Sequence, residues 1–267
     1  MDKKKDFKSS FAMTNVERRE MALKIAQHST LSFDEAFSLL KNGQTSDERL
    51  QRDEEFTASK KQLLEKRKFS RFYSCSLWAQ GRKKSFTFDD WKPEMQSDSE
   101  RAAAIGNKAF RLAKELEQQD FNVLLTGSVG AGKTALALAI SDKLRNFKTT
   151  LFVSMVEWKN LRMGAIKSPE KQREFSRLEQ MMKDAEVLLL DDLGKDNKDS
   201  NGRATQDTNN MLFGLGDARM GKTTIITTND SQSELARKYD AAVVSRLITK
   251  NPDHTISTNG LQDVREV

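Results

Sequence analysis

The sequence predicts an α/β fold in which helices flank a parallel sheet, preceded by a small all-α module. From residue 99 onward, short apolar runs alternate with helical patterns, and strands that alternate with helices form parallel sheets. Residues 1–84 carry only sparse apolar positions at helical spacing. We therefore divide the chain into a helical, basic N-terminal module (1–84), a linker (85–98) and an α/β domain (99–267).

Composition restricts the class of protein. Hydrophobic residues make up 37% of the chain and charged residues 31%, and no run approaches the roughly 18 apolar residues of a membrane span. Cys75 is the single cysteine, which excludes a disulfide framework or a cysteine-based zinc site within one chain. Because no apolar stretch follows the first residues as in a secretory signal, we expect a cytoplasmic protein.

Positive charge is concentrated in the N-terminal third. Residues 1–84 hold 19 Lys and Arg against 12 Asp and Glu, whereas residues 85–267 hold 26 against 27. The net charge of +6 therefore comes from residues 1–84, which indicates an interaction region.

Three helices are predicted in the N-terminal module, after a disordered basic tail (1–12). The first begins near residue 14, the second spans 33–40, and the third runs from 45 to about 72. A capping box, Ser32 to Glu35, opens the second helix, and Asn42-Gly43 ends it. With so few apolar positions, we expect the module to depend on a partner.

The stretch 60–73 has two interpretations. Six Lys and Arg side chains surround Phe69, Phe72 and Tyr73. Such a mixture can bind single-stranded nucleic acid through phosphate contacts and base stacking. It can also be a solvated helix face whose aromatic rings pack inward. We favour the second interpretation because helical spacing accounts for the aromatic positions without a ligand.

The linker and the domain after it carry regular patterns. Aromatic residues in the linker (Phe86, Phe88, Trp91) lead us to expect that it packs on the following domain. Strands are predicted directly before Gly127 and at 149–154, 186–192, 223–228 and 254–257. Helices are predicted at 99–118, from 135, and at 155–185, 207–215, 234–238 and 242–247.

A glycine-rich turn joins the first of these strands to the next helix. It has the pattern G-x-x-x-x-G-K-T: Gly127, Ser128, Val129, Gly130, Ala131, Gly132, Lys133, Thr134. The order strand, turn, helix is the one that a phosphate-binding P-loop requires, because backbone N–H groups and the helix N-terminus then face the phosphates. We expect Lys133 to reach the β- and γ-phosphates of ATP and the Thr134 hydroxyl to ligate Mg²⁺.

The same pattern occurs a second time, at 216–223. It follows a helix-like stretch and precedes an apolar β-branched run, so the predicted order is helix, turn, strand. No helix N-terminus then faces a phosphate, and we predict a helix-to-strand turn that binds no nucleotide.

Polar residues at two strand ends and one helix complete the candidate site. Asp191 is placed to hold Mg²⁺ through water, and Asp192 to orient or deprotonate the attacking water. Asn229 is a candidate to orient that water, and Arg246 is a candidate arginine finger for a neighbouring subunit. Asn also commonly caps helices and Arg commonly forms ion pairs, so a purely structural role stays open for Asn229 and for Arg246.

Together these motifs resemble the AAA+ ATPases of the DnaC/DnaI helicase-loader family, with the transposon ATPase IstB as a close cousin. The resemblance covers residues 86–265. It rests on Phe-Thr-Phe-Asp-Asp-Trp-Lys-Pro (86–93), the Walker A motif (127–134), the Walker B motif Leu-Leu-Leu-Asp-Asp-Leu-Gly (188–194), Ile-Thr-Thr-Asn (226–229), Val-Ser-Arg-Leu (244–247) and Asp-Val-Arg (263–265).

The resemblance implies an AAA+ P-loop NTPase in which Asn229 is sensor 1 and Arg246 the finger. It also implies an extra helix within 155–185 that contacts single-stranded DNA, with Lys159, Arg162 and Lys167 as candidates. Many AAA+ proteins have Glu where Asp192 stands, so we expect slow ATP hydrolysis, stimulated by DNA or a partner. The chain ends soon after Arg265, so we expect no helical lid, and the divergent front end fits a phage- or mobile-element-encoded protein.

In function, the resemblance implies an ATP-dependent loader that places a replicative helicase on single-stranded DNA. The N-terminal module would bind a hexameric helicase of the DnaB/DnaC type, and the ATPase domain would self-associate through its ATP sites. One alternative is an IstB-like regulator of transposition that coats duplex DNA. Another is a P-loop kinase that acts on a nucleotide or small molecule.

Overall fold

The computed structural model describes residues 14–28, 32–41, 46–195 and 202–264. The predicted tail (1–12), the helix end at Asn42-Gly43 and Arg265 lie outside these ranges. The chain divides into two compact units, Met1–Leu63 and Leu64–Val267. Within the described ranges, no helix is long and apolar enough to cross a membrane.

The first unit is helical. It contains α1 (Asn15–His28), α2 (Phe33–Lys41) and the beginning of α3 (Ser46–Ser74). Ala22 of α1 and Ala36 of α2 are buried. The backbone N–H and the hydroxyl of Ser32 both donate to the Glu35 carboxylate at 2.8 Å, so the predicted capping box is confirmed.

The second unit alternates strands and helices. Its elements are α4 (Ser99–Glu115), β1 (Val123–Thr126), α5 (Lys133–Leu144), β2 (Thr150–Ser154), α6 (Met155–Ala165), α7 (Pro169–Asp184), β3 (Val187–Leu193), α8 (Gln206–Ala218), β4 (Thr223–Thr228), α9 (Gln232–Lys238), α10 (Ala241–Leu247) and β5 (Thr255–Ser257). The five predicted strands are therefore confirmed.

The strands form one parallel sheet with the order β2-β3-β4-β1-β5. Side chains of β3 alternate between two cores: Leu188 and Leu190 pack in one, Val187 and Leu189 in the other. The first core includes residues of α6, α7, α8 and α10, and the second includes residues of α4 and α5. Helices therefore cover both faces, as a parallel sheet requires, and the predicted fold class is confirmed.

The second unit begins earlier than residue 85, where the sequence analysis placed the linker. Leu77 pairs with Val153 of β2, and Trp78 stacks on Phe152 with ring centroids 4.3 Å apart. Residues 1–63 hold 12 Lys and Arg against 11 Asp and Glu, whereas residues 64–84 hold seven against one. Residues 1–63 therefore have a net charge of +1 and residues 64–84 a net charge of +6, so most of the net positive charge of residues 1–84 belongs to the unit that contains the sheet.

Two further expectations concern the helical segment 155–185 and the packing of the aromatic residues. The segment 155–185 is helical as predicted and consists of two helices, because Ser168 caps α7 by accepting from Lys171 N–H and Pro169 occupies its first position. The linker aromatics pack on the core of α4 and α5, and the rings of Phe72 and Tyr73 pack inward, as expected.

Candidate nucleotide-binding site

The turn between β1 and α5 folds as a loop held by its own lysine. Lys133 is the first residue of α5 and only 6% exposed, and its Nζ donates to the carbonyls of Gly127 at 2.9 Å and Ser128 at 2.7 Å. The N-terminus of α5 adjoins the same loop, where the first N–H groups of a helix have no partner within the helix and the helix dipole is positive. The loop is thus an anion cradle, in which a phosphate can replace the neutral carbonyls as partner of the ammonium.

Trp91 of the predicted linker lies against this loop. Its indole N–H donates to the Ala102 carbonyl at 3.0 Å. A Cβ at Gly132 would lie 2.7 Å from the indole ring, and a Cβ at Gly106 equally close. Because Gly132 also has a φ of 80°, both its backbone conformation and its contact with Trp91 require glycine.

The C-terminal segment approaches the loop from another side. A Cβ at Gly127 would lie 2.2 Å from the Thr258 hydroxyl, and a Cβ at Gly130 would lie 2.0 Å from Cγ of Asp263. The loop is therefore enclosed by parts of the chain that lie more than a hundred residues away in sequence.

Asp191 joins the P-loop to the neighbouring strands. Its Oδ1 accepts from the hydroxyls of Thr134 at 2.8 Å and Thr227 at 2.7 Å. Burial raises the pKa of the Asp191 carboxyl above its usual range, the two hydroxyl bonds oppose this rise, and the Asp192 carboxylate adds to it.

This set of oxygen atoms fits a hard divalent cation. A threonine hydroxyl and a carboxylate are donors that Mg²⁺ prefers, and such sites complete the coordination with phosphate oxygens and water. In the described part of the chain, no cluster of three or more His, Cys, Asp or Glu could hold a metal by itself. The residues present therefore suit Mg²⁺ that arrives with a nucleotide.

Asp192 points differently from Asp191. Its φ is 62°, its backbone N–H donates to the Thr227 hydroxyl at 2.9 Å, and its carboxylate pairs with Lys195 at 2.8 Å. The Asp192 side chain is 30% exposed, whereas Asp191 is 5% exposed. The Asp191 carboxylate is thus packed against Thr134, and the Asp192 carboxylate is partly exposed and paired with Lys195.

Asn229 follows β4 at the same edge of the sheet. It is exposed and lines, with Thr126 and Gly127, an open pocket of about 350 Å³. Because all five strands are parallel, their carboxyl ends meet at one edge. The fold therefore brings the P-loop, the two carboxylates and Asn229 together, as the motifs predict.

A family model for the IstB-like ATP binding protein matches residues 109–250, more than half of the chain. The chain belongs to this IstB-like family. A search of curated protein sequences gave no significant match. The match includes the P-loop, both carboxylates, Asn229 and Arg246, so ATP binding is a property of the family to which this site belongs.

Solved structures similar to this IstB-like chain include replication proteins. DnaI is 20% identical over 66% of this chain and 91% of its own, with a TM-score of 0.49. The DnaC helicase loader is 21% identical over 64% and 95%, with a TM-score of 0.44. AMPPCP-bound DnaA from Aquifex aeolicus is 17% identical over 60% and 47%, with a TM-score of 0.46. The chain spans about half the length of the replication initiation structures that it matches.

Arg246 lies away from the P-loop of its own IstB-like domain. Its guanidinium pairs with Asp217 at 3.3 Å, donates to the Ala242 carbonyl at 3.1 Å and stacks 4.5 Å from the Phe213 ring centroid. All three partners belong to α8 and α10. These contacts lie within one chain, so the role of Arg246 as an arginine finger for a neighbouring subunit stays a prediction.

The three predicted DNA contacts of this IstB-like domain differ in exposure. Lys167 is exposed between α6 and α7, and Lys159 is partly buried. Arg162 pairs with Asp207 at 3.0 Å and lies over the Phe175 ring. Among these candidates, Lys167 is the one most accessible to a polyanion.

Sequence reasoning missed two residues of the site. Thr227 was visible only as part of the Ile-Thr-Thr-Asn motif, and its bonds to the Asp191 carboxylate and the Asp192 backbone N–H depend on the pairing of β3 with β4. Trp91 was visible as a linker aromatic, and nothing in its local pattern indicates that it touches Gly132.

Proposed function

We propose that this IstB-like protein is an ATP-driven loader that places a replicative helicase on single-stranded DNA. The observation that carries the ATPase part is the contact between Thr134 and Asp191, which joins the P-loop to the acidic strand as a Mg²⁺·ATP site requires. The loader part is supported by the motifs shared with DnaC and DnaI, notably those at 86–93 and 244–247.

In the proposed reaction the residues of the site act on one phosphate chain. Lys133 and the loop N–H groups would hold the phosphates, while the Thr134 hydroxyl, and Asp191 through water, would hold Mg²⁺, which would supply positive charge to neutralise the phosphates. Asp192 accepts a proton from water as the water oxygen attacks the γ-phosphorus, and the bond to ADP breaks. Asn229 orients that water.

Self-association would complete the site. The ion pair between Arg246 and Asp217 involves side chains that are 27% and 58% exposed. An ion pair of this exposure contributes about 1 kcal/mol or less, and Arg246 would exchange it, with its contacts to the Ala242 carbonyl and the Phe213 ring, for the γ-phosphate of a neighbouring subunit. ATP binding would then act as the switch for assembly and hydrolysis as the release step.

The partners follow from the same proposal. The N-terminal module (1–84), of which Met1–Leu63 form a compact unit, would bind a hexameric helicase of the DnaB/DnaC type. Lys159, Arg162 and Lys167 on or beside α6 would contact single-stranded DNA in the assembled state.

A second candidate function is regulation of transposition. It is favoured by the family model, whose description refers to IstB-like proteins. In that case the protein would coat duplex DNA in an ATP-dependent manner and activate a transposase. A third candidate, a P-loop kinase, would transfer the γ-phosphate to a small molecule.

The deciding experiment mixes the full-length protein with the replicative helicase of its host, with and without ATP and Mg²⁺. Complexes are measured by size-exclusion chromatography with light scattering, and helicase transfer is measured on single-stranded DNA. An ATP-dependent complex that delivers the helicase supports the loader. ATP-dependent filaments on duplex DNA without a helicase complex would support the transposition regulator, and phosphate transfer to a metabolite would support the kinase.

A further inference from the structure

The pairing of β3 with β4 is interrupted at the two carboxylates. Leu190 lies opposite Ile226, and the next paired residues are Leu193 and Thr228. Asp191 and Asp192 therefore stand opposite the single residue Thr227, which is a β-bulge. Bulges redirect side chains, and here the redirected side chains are the two carboxylates of the site.

The Thr227 side chain bonds to both residues of this bulge. Its hydroxyl accepts from the Asp192 N–H at 2.9 Å and donates to Oδ1 of Asp191 at 2.7 Å. A hydroxyl has one hydrogen and two lone pairs, so both bonds can exist together. Thr227 is fully buried, and its hydroxyl takes the place of a strand-to-strand bond that the bulge removes.

The backbone of Asp192 needs such support. Its φ of 62° lies in the left-handed region, which a residue with a Cβ occupies only at a cost in free energy. Among the described non-glycine residues only Gln80 shares a positive φ. Without the bond to Thr227, the Asp192 N–H would lose its partner and the backbone could relax, which would swing the carboxylate away.

We propose that Thr227 is a positioning residue that sets the directions of both carboxylates and thereby the rate of ATP hydrolysis. This inference rests on the proposed ATPase activity and deepens it. Through Asp192, Thr227 places the group that receives the proton of the attacking water. Through Asp191, it orients an oxygen beside Thr134 for Mg²⁺. A small displacement of either group lowers the rate strongly.

The test compares two isosteric substitutions on two strands of the same sheet, Thr227 on β4 and Thr150 on β2. Thr227→Val removes the hydroxyl in question. Thr150→Val is the matched control, because Thr150 is 1% exposed and its hydroxyl has no hydrogen-bond partner among the described residues. Steady-state hydrolysis gives kcat and KM, titration with a fluorescent ATP analogue gives affinity, and circular dichroism verifies folding.

We expect Thr227→Val to lower kcat about tenfold or more, with nucleotide affinity changed by less than about threefold. The Mg²⁺ concentration for half-maximal rate should rise. Thr150→Val should leave all three quantities unchanged, and Thr227→Ser should restore most of kcat because it keeps the hydroxyl. If Thr227→Val does not fold, Thr227→Cys, a weaker hydrogen-bonding group of similar size, should give an intermediate kcat.

A double-mutant cycle with Asp192→Asn distinguishes an effect of Thr227→Val on the position of the Asp192 carboxylate from a general loss of stability. At saturating Mg²⁺, where the effect through Asp191 is smallest, Thr227→Val should lower kcat little further in the Asp192→Asn background if Thr227 acts through Asp192. A kcat for Thr227→Val equal to that of Thr150→Val overturns the inference while leaving the ATPase proposal intact. An Asp192→Asn variant that hydrolyses ATP at the wild-type rate overturns instead the proposed role of Asp192.

Discussion

The chain carries one eight-residue pattern twice, and the two copies fold in opposite order. Residues 127–134 lead from β1 into α5, whereas residues 216–223 lead from the end of α8 into β4. Only the first copy therefore places a helix N-terminus at its turn. The comparison shows that the glycines and lysine supply suitable residue types, while the adjoining elements decide whether a phosphate can bind.

The cations of the two copies are also used differently. Lys133 bonds to carbonyls of its own loop, but Lys222 donates to the Lys183 carbonyl at the end of α7, at 2.6 Å. In the second copy the buried cation is Arg219, which is 3% exposed and whose pKa burial lowers to about 10. It joins α7 to β4 through bonds to the carbonyls of Met182, Ala185 and Thr223 and to the Thr224 hydroxyl. The second copy thus stabilises the fold.

The largest expected effect tests this structural role. Arg219→Met leaves three buried carbonyls without their donor, so we expect the free energy of unfolding to fall by about 3–5 kcal/mol. Urea denaturation measures it, with Arg111→Met as control. The Arg111 side chain is 63% exposed beside Glu115, so its loss should change stability little. Weaker nucleotide binding by folded Arg219→Met would show that the second copy contributes to the site after all.

The next effect concerns the two lysines. Lys133→Ala removes a charge-assisted bond to the phosphates, so we expect affinity for ATP to fall about 10- to 100-fold. Lys222→Ala should leave affinity within about twofold, since its ammonium faces α7. Isothermal titration of both variants checks this. The reverse ranking would mean that the second copy binds the nucleotide.

The third prediction uses two glycines with the same backbone. Gly132 has a φ of 80° and Gly221 a φ of 79°, yet only Gly132 faces the Trp91 ring, while the space around Gly221 is open. We expect Gly221→Ala to cost about 1–2 kcal/mol of stability from backbone strain. Gly132→Ala should cost more and should also weaken ATP binding. Equal losses of stability would mean that the indole moves aside freely.

The smallest effect is expected at the last residue of each copy, Thr134 in the first and Thr223 in the second. The Thr134 hydroxyl donates to Asp191 at 2.8 Å and the Thr223 hydroxyl to Asp120 at 2.9 Å. Thr134→Val should raise the Mg²⁺ concentration needed for hydrolysis several-fold. Thr223→Val should cost about 1 kcal/mol of stability and leave the Mg²⁺ dependence unchanged. Hydrolysis measured against Mg²⁺ concentration distinguishes the two.

What the sequence predicted well was local. The apolar runs before Gly127 and Asp191 are short, continuous and bounded by turn residues, so the local sequence pattern was enough to locate their strands. The order of elements around each copy of the pattern is likewise a property of a few neighbouring residues. The break between α6 and α7 is also local, because Ser168 is an N-cap and Pro169 stands in the first turn of α7.

What the sequence did not show depends on contacts between distant segments. Thr227 meets Asp191 and Asp192 across 36 and 35 positions, and only the strand register with its bulge brings them together. The edge contact of Leu77 with Val153 likewise assigns residues 64–84 to the unit that contains the sheet. A periodicity argument treats one element at a time and has no access to such pairings.

The contact of Trp91 with Gly132 has an optical consequence. The protein has three tryptophans, and Trp78 and Trp158 are 9% and 0% exposed within the two cores. Trp91 instead touches Gly132, the N-cap residue of α5. With the other two replaced by phenylalanine, the remaining indole emission should change as ATP fills the loop, and the protein would report its own nucleotide state without an added dye.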